Sequence, residues 1–196
     1  MTLLSALAMN ACGKEETKEP EKDAPMTSSE YISFKVSASS PSESAVITWE
    51  AVSDRIGVFV SEAGTGSALN ANAYYDAYTS TASSRFFPLR DADKLKWEDG
   101  KKYDVALYYP FTIKMTDATS IPVSVAAEQT VPVPLTSMQL KEEQMFVSSV
   151  KSVERPENGI LEMSLSPIVS FVKINVSSNL PVACNSIKLT GEDGTA

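Results

Sequence analysis

An all-β fold, read as a β-sandwich of mostly antiparallel strands with at most one short helix, follows from three features of the sequence. From Tyr31 onward, apolar residues alternate with polar ones over short runs. Those runs are separated by clusters of Ser, Pro, Asn, Asp and Gly, the residues that favour turns. No long segment carries apolar residues at helical spacing, so the strand–helix alternation of a parallel α/β fold is missing.

Taken in order, residues 31–38 (YISFKVSA) place Ile32, Phe34 and Val36 on one face of a first strand. Residues 45–49 (AVITW) and 55–60 (RIGVFV) continue the alternation. Residues 62–72 read as a polar, glycine-containing loop, and 86–89 as a short strand. A polar excursion over 91–99, around Leu95 and Trp97, turns at Asp99-Gly100. Residues 103–109 (YDVALYY) are strongly strand-like and stop at Pro110, which has no donor for a sheet ladder. Residues 121–125 and 130–135 follow, the second confined to an edge or loop by Pro132 and Pro134. The stretch 138–153 is ambiguous, its first part favouring helix and its second strand. Residues 159–164 and 168–177 read as a closing pair, and 187–190 as a last strand, giving about eight to ten strands in all.

The composition narrows the function. Of 196 residues, 43% are hydrophobic, enough for a packed core. The net charge of −8 argues against nucleic acid, whose phosphates need clustered Lys and Arg. The chain has no histidine, which removes the usual general base, the Ser-His-Asp and Cys-His arrangements and the commonest transition-metal ligand. No cofactor or metal site is expected, and no enzymatic activity. Glu142-Glu143 and the Asp91/Asp93 pair read as solvated faces, and Gly64-Thr65-Gly66-Ser67 as a flexible loop without the lysine of a phosphate loop. Tyr74, Tyr75, Tyr78, Phe86 and Phe87 form an aromatic-rich stretch, read first as core packing and second as a platform for sugar rings. Trp49, Trp97 and Cys184 read as core residues, with no bridge between Cys184 and Cys12.

The N-terminus carries the second layer of organisation. Residues 1–11 contain an apolar run, and with Cys12 they have the form of the end of a secretory signal; the run is too short to cross a bilayer. The lack of an opening Lys or Arg places the true start upstream, and the turn-like last residues suggest that a C-terminal portion follows Ala196. Cys12, after Asn10-Ala11, resembles a bacterial lipobox, which implies acylation of its thiol and new amine and a lipid anchor in the outer membrane. Residues 12–30 then form a charged tether that cannot bury apolar surface. Within it, Lys14-Glu15-Glu16 resembles the signal that exports Bacteroidetes lipoproteins to the cell surface. Residues 31–196 form the folded domain.

That domain resembles the N-terminal domain of the fimbrillins, the Bacteroidetes lipoproteins that build type V pili. The resemblance lies in Trp49 followed by Asp54-Arg55-Ile56-Gly57-Val58-Phe59, and in Trp97 with Lys102-Tyr103 leading to Tyr108-Tyr109-Pro110-Phe111. Ile121-Pro122-Val123 with Gln129, and Leu165-Ser166-Pro167 leading to Val172-Lys173-Ile174-Asn175-Val176, complete the ordered set. It implies a transthyretin-like sandwich and a role in adhesion as a shaft, anchor or tip subunit. Its partners would be other pilus subunits, joined by exchange of the strand bearing Ile32, Phe34 and Val36, and a host or glycan ligand. Shaft subunits of the family are cut after an arginine in the linker following the first strand, and residues 39–44 contain none. The alternative reading is a glycan-binding surface lipoprotein of a polysaccharide-uptake system.

Overall fold

Alternation of side chains across a strand puts every second residue inside, and the burial of these segments follows that period. Among the described residues seven strands result: β1 Ser33–Ala38, β2 Arg55–Glu62, β3 Ala68–Ala77, β4 Ser83–Pro88, β5 Tyr103–Tyr109, β6 Phe146–Val153 and β7 Ile160–Pro167. A single 3₁₀ turn, Asp91–Asp93, lies between β4 and β5. The computed structural model describes residues 30–40, 45–120, 140–141, 144–168, 177 and 179. The strand expectations at 121–125, 130–135 and 187–190, and most of that at 168–177, lie outside the described residues, as do Cys12, Lys14, Glu15, Glu16, Glu142, Glu143 and Cys184.

The all-β expectation holds, with almost no helix among the described residues, but their strands pair as a closed barrel rather than as a specific transthyretin-like sandwich. Its order is β1-β4-β3-β2-β5-β6-β7. Closure is the work of β1, which pairs antiparallel with β4 and parallel with β7, so neither neighbour is left as an edge. The other pairings are antiparallel. Local alternation is the same in a sandwich and a barrel; the difference lies in which distant strands meet.

Two element assignments differ from the sequence reading. Residues 62–72 are not one loop: a tight turn holding Gly64 and Gly66 at positive φ leads into β3 at Ala68. The first half of β3 is small and polar because its side chains are mostly exposed, and it takes strand form by pairing with β2 through register shifts. Asn72, at φ 61°, marks the irregularity, and its amide donates to the Thr112 carbonyl at 2.8 Å. Residues 45–50 are extended and join no ladder among the described residues. They form a strap in which Ala45, Ile47 and Trp49 are buried while Val46 and Thr48 face out.

The barrel interior is filled by Phe34, Val36, Ile56, Val58, Tyr75, Phe86, Val105, Leu107, Phe146 and Leu165, with Trp49 and Trp97 also in the core as expected. On the outside of β2, Gly57 lies beneath the Tyr108 ring, where an added Cβ would fall 1.8 Å from a ring carbon. Gly57→Ala is therefore expected to lower stability by about 1–3 kcal/mol, measured from the denaturant midpoint, because the ring must leave its bonds to Asn72 and Thr112.

Candidate functional site: the slot occupied by β1

The first strand lies in a slot between β4 and β7. Phe34, Lys35, Val36 and Ser37 stand opposite Phe86, Arg85, Ser84 and Ser83 of β4. On the other side, Ser33 through Ala38 match Ile160 through Leu165 of β7. Ile32, Phe34 and Val36 are fully buried, the face that the sequence assigns to the interior. Phe34 meets the Tyr75 ring edge-on at 5.3 Å. Lys35 points outward and pairs with Glu162 at 3.1 Å, both well exposed. The strand is bounded by backbone bonds at each end, from the Ile32 amide to the Leu95 carbonyl (2.8 Å) and from the Ser39 amide to the Leu165 carbonyl (2.9 Å).

Beyond β1 the chain passes through residues 41–44 into the strap. Trp49 in that strap is buried, and its indole N–H donates to the Val36 carbonyl of β1 at 2.8 Å. Its ring is held edge-on between Phe86 and Tyr109, with centroids 5.3 and 5.2 Å away. Next to it lies a buried ion pair. The Asp54 carboxylate accepts from Lys141 Nζ at 2.6 Å, from the Tyr109 hydroxyl at 2.8 Å and from the Glu50 amide at 2.7 Å. Residues 45–54 are thereby fixed to β1 at Trp49 and to the segment before β6 at Lys141.

The aromatic stretch divides between faces of the barrel. Tyr75 is wholly buried and donates to the Asp93 carbonyl, so it shares no platform with Tyr74 and Tyr78. Tyr78 is half exposed and packs edge-on against Phe87. Tyr74 is covered by the guanidinium groups of Arg90, 4.2 Å from its centroid, and Arg55, 5.4 Å away. Each arginine is tied to a buried carboxylate, Arg90 to Asp93 and Arg55 to Asp76 at 2.7 Å. The hydrogen bond and charge of Asp76 raise the pKa of Arg55, and the bond to Asp93 raises that of Arg90. Asp93 is therefore not on a solvated face: it is buried beneath Arg90, whereas Asp91 is exposed and its pKa is lowered by Lys94.

Burial, and secondarily the charge of Asp93, push the Tyr75 hydroxyl well above the ordinary tyrosine value of 10.0. A folded-state pKa raised in this way contributes stability fully below pH 10 and loses it as the unfolded chain ionises above that value. Tyr75→Phe should therefore flatten the alkaline limb of the stability curve by up to about 1.4 kcal/mol per pH unit relative to wild type. Denaturant titrations between pH 9 and 11 measure it.

Among the described residues, no group of three or more Cys, Asp and Glu side chains could hold a metal, and no helix is long and apolar enough to cross a membrane. Trp49 of the strap and the IGVF residues of β2 are among those that carry the resemblance. A fimbrillin-like family model matches residues 42–194. The chain belongs to the fimbrillin-like family. The matched residues take in β2 to β7 and leave out β1. Fimbrillins are structural pilus proteins, so membership supports a fimbrial subunit role at the cell surface in general, and association with other pilus subunits. No curated relative matches the chain.

The sequence identifies the buried face of β1 correctly. It misses three polar anchors: the Trp49 indole at the slot, the Asp54–Lys141 pair beside it, and the Arg90–Asp93 pair over Tyr74. Each joins residues distant in the chain or hidden in a charged run, and a buried ion pair leaves no periodic trace in sequence.

Proposed function

We propose that this fimbrillin-like chain is a surface lipoprotein that works mechanically, as a shaft, anchor or tip subunit of a pilus in adhesion. It is tethered to the outer membrane through acylated Cys12, with Lys14-Glu15-Glu16 as its export signal. Its device is strand exchange: β1 leaves the slot between β4 and β7, and a strand from another subunit enters. The observation that carries this reading is that, among the described strands, β1 is the one that bridges β4 and β7 and closes the barrel. Emptying the slot would bare the partners of Ile32, Phe34 and Val36, whose burial is worth roughly 1.5–3 kcal/mol per side chain. The newly open edges of β4 and β7 would also present unpaired N–H and C=O groups, which an extended strand satisfies.

The linker lacks the arginine at which shaft subunits are cut, and Arg55, the next one along, opens β2 inside the barrel. An anchor or tip position, where the subunit keeps its own first strand, therefore fits as well as a shaft position, where β1 is exchanged. Filaments sheared from cells expressing the protein test the reading. The chain should run in unheated gels as part of a high-molecular-mass assembly that collapses on boiling. A chain found only as monomer, in cells that do bear filaments, would refute a pilus role. Cys12→Ala should release the protein from membranes and abolish labelling by a fatty-acid analogue; an unlabelled wild type that stays on the membrane would refute the anchor. Changing Lys14, Glu15 and Glu16 to Ala should leave the protein anchored but hidden from external protease, and unchanged exposure would make the segment a spacer.

A further inference from the structure

Resting on strand exchange at the β1 slot, we propose that Trp49 is the register clamp of that slot: any occupant must extend far enough to place a backbone carbonyl at the level of Val36. The donor is held from outside the strand: its ring packs edge-on against Phe86 of β4 and Tyr109 of β5, neither of which belongs to β1, so these contacts do not depend on which strand fills the slot. The group is buried, and a buried N–H without an acceptor is costly, whereas one bonded to a carbonyl is not. A short occupant that stops before this level fills the apolar sites of Ile32 and Phe34 but leaves the indole orphaned. A longer one satisfies it whatever its side chain, because every residue carries a carbonyl.

The partner that fits is thus an extended segment with apolar side chains at the Phe34 and Val36 positions. It runs parallel to β7, and the residue between those two positions lies between Arg85 and Glu162. Specificity then has two sources. Side-chain alternation chooses the face that turns inward, and Trp49 sets how deep the strand must reach.

The test uses the full chain with a protease site engineered into residues 41–44 and cut, so that β1 is held without a covalent link to the barrel. Dissociation of β1 is followed by exchange with a fluorescent peptide of residues 31–40. A second peptide carries the Val36 carbonyl as a thioamide, a poorer acceptor, and a third has the thioamide at Phe34. The Val36 thioamide should speed dissociation about tenfold from wild type, corresponding to about 1.4 kcal/mol, and less than twofold from Trp49→Phe. Equal factors in both proteins would overturn the clamp and leave strand exchange standing. If Trp49→Phe fails to fold, the wild-type arm decides: the Val36 thioamide must cost several-fold more than the Phe34 thioamide, and equal costs reject the clamp. A cut protein from which β1 never exchanges would overturn strand exchange itself, and the clamp with it.

Discussion

Replacing Lys141 by Met should lower the stability of the barrel by about 3–5 kcal/mol, far more than loss of any surface ion pair. Asp54 is buried, and among the described residues Lys141 is the cation that meets its carboxylate; without it a charge stays in the core with only neutral donors. Leaving a buried ion unpaired is costly because its hydration is not replaced. The double variant Asp54→Asn, Lys141→Met should cost less than the single Lys141→Met change. The amide that takes the place of the Asp54 carboxylate still accepts from the Tyr109 hydroxyl or the Glu50 amide, and no net charge remains inside. Urea midpoints of the three proteins measure both effects. A single-variant loss below about 1 kcal/mol would mean that water reaches Asp54 and the pair is not sealed.

Phe34→Ala is the second large effect, at about 3–5 kcal/mol. Its side chain is fully buried against Tyr75 from a strand that touches the barrel on both sides. Lys35→Ala, one residue on, should change stability by less than about 1 kcal/mol, since it removes only an exposed pair with Glu162. The contrast decides how β1 is held. If the apolar face dominates, the two variants differ by several-fold in cost. If backbone pairing alone holds the strand, they converge. The same apolar face is what a donor strand would have to supply.

The strands are legible where alternation is strong. Residues 103–109 read as a strand with the bounds that β5 has, and the inward face of β1 is readable residue by residue. The strap at 45–50 shows the limit. Its alternation of Ala45, Ile47 and Trp49 is the mark of a half-buried extended segment, and the segment is extended and half-buried, yet it pairs with none of the described strands. Period tells which side is inside and says nothing of what lies alongside. The first half of β3 escapes for the opposite reason: Ala68, Asn70 and Asn72 lack apolar alternation, and pairing with β2 imposes the strand. Closure into a barrel is invisible in sequence because it depends on a parallel contact between the first and last described strands. The site is half legible. Ile32, Phe34 and Val36 can be picked out, but not the indole that reaches back to Val36, nor Lys141 against Asp54.

The most direct test of strand exchange is made on the full chain cut at a protease site engineered between residues 41 and 44, followed by size-exclusion chromatography and unheated gel electrophoresis. If β1 is exchangeable and its slot accepts a strand from another copy, the cut protein should form a ladder of denaturant-resistant oligomers while uncut protein stays monomeric. An excess of synthetic peptide of residues 31–40 should then suppress the ladder by filling the slot. Cut protein that keeps β1 and remains monomeric would contradict the shaft-subunit account, leaving an anchor or tip role for a barrel that never opens.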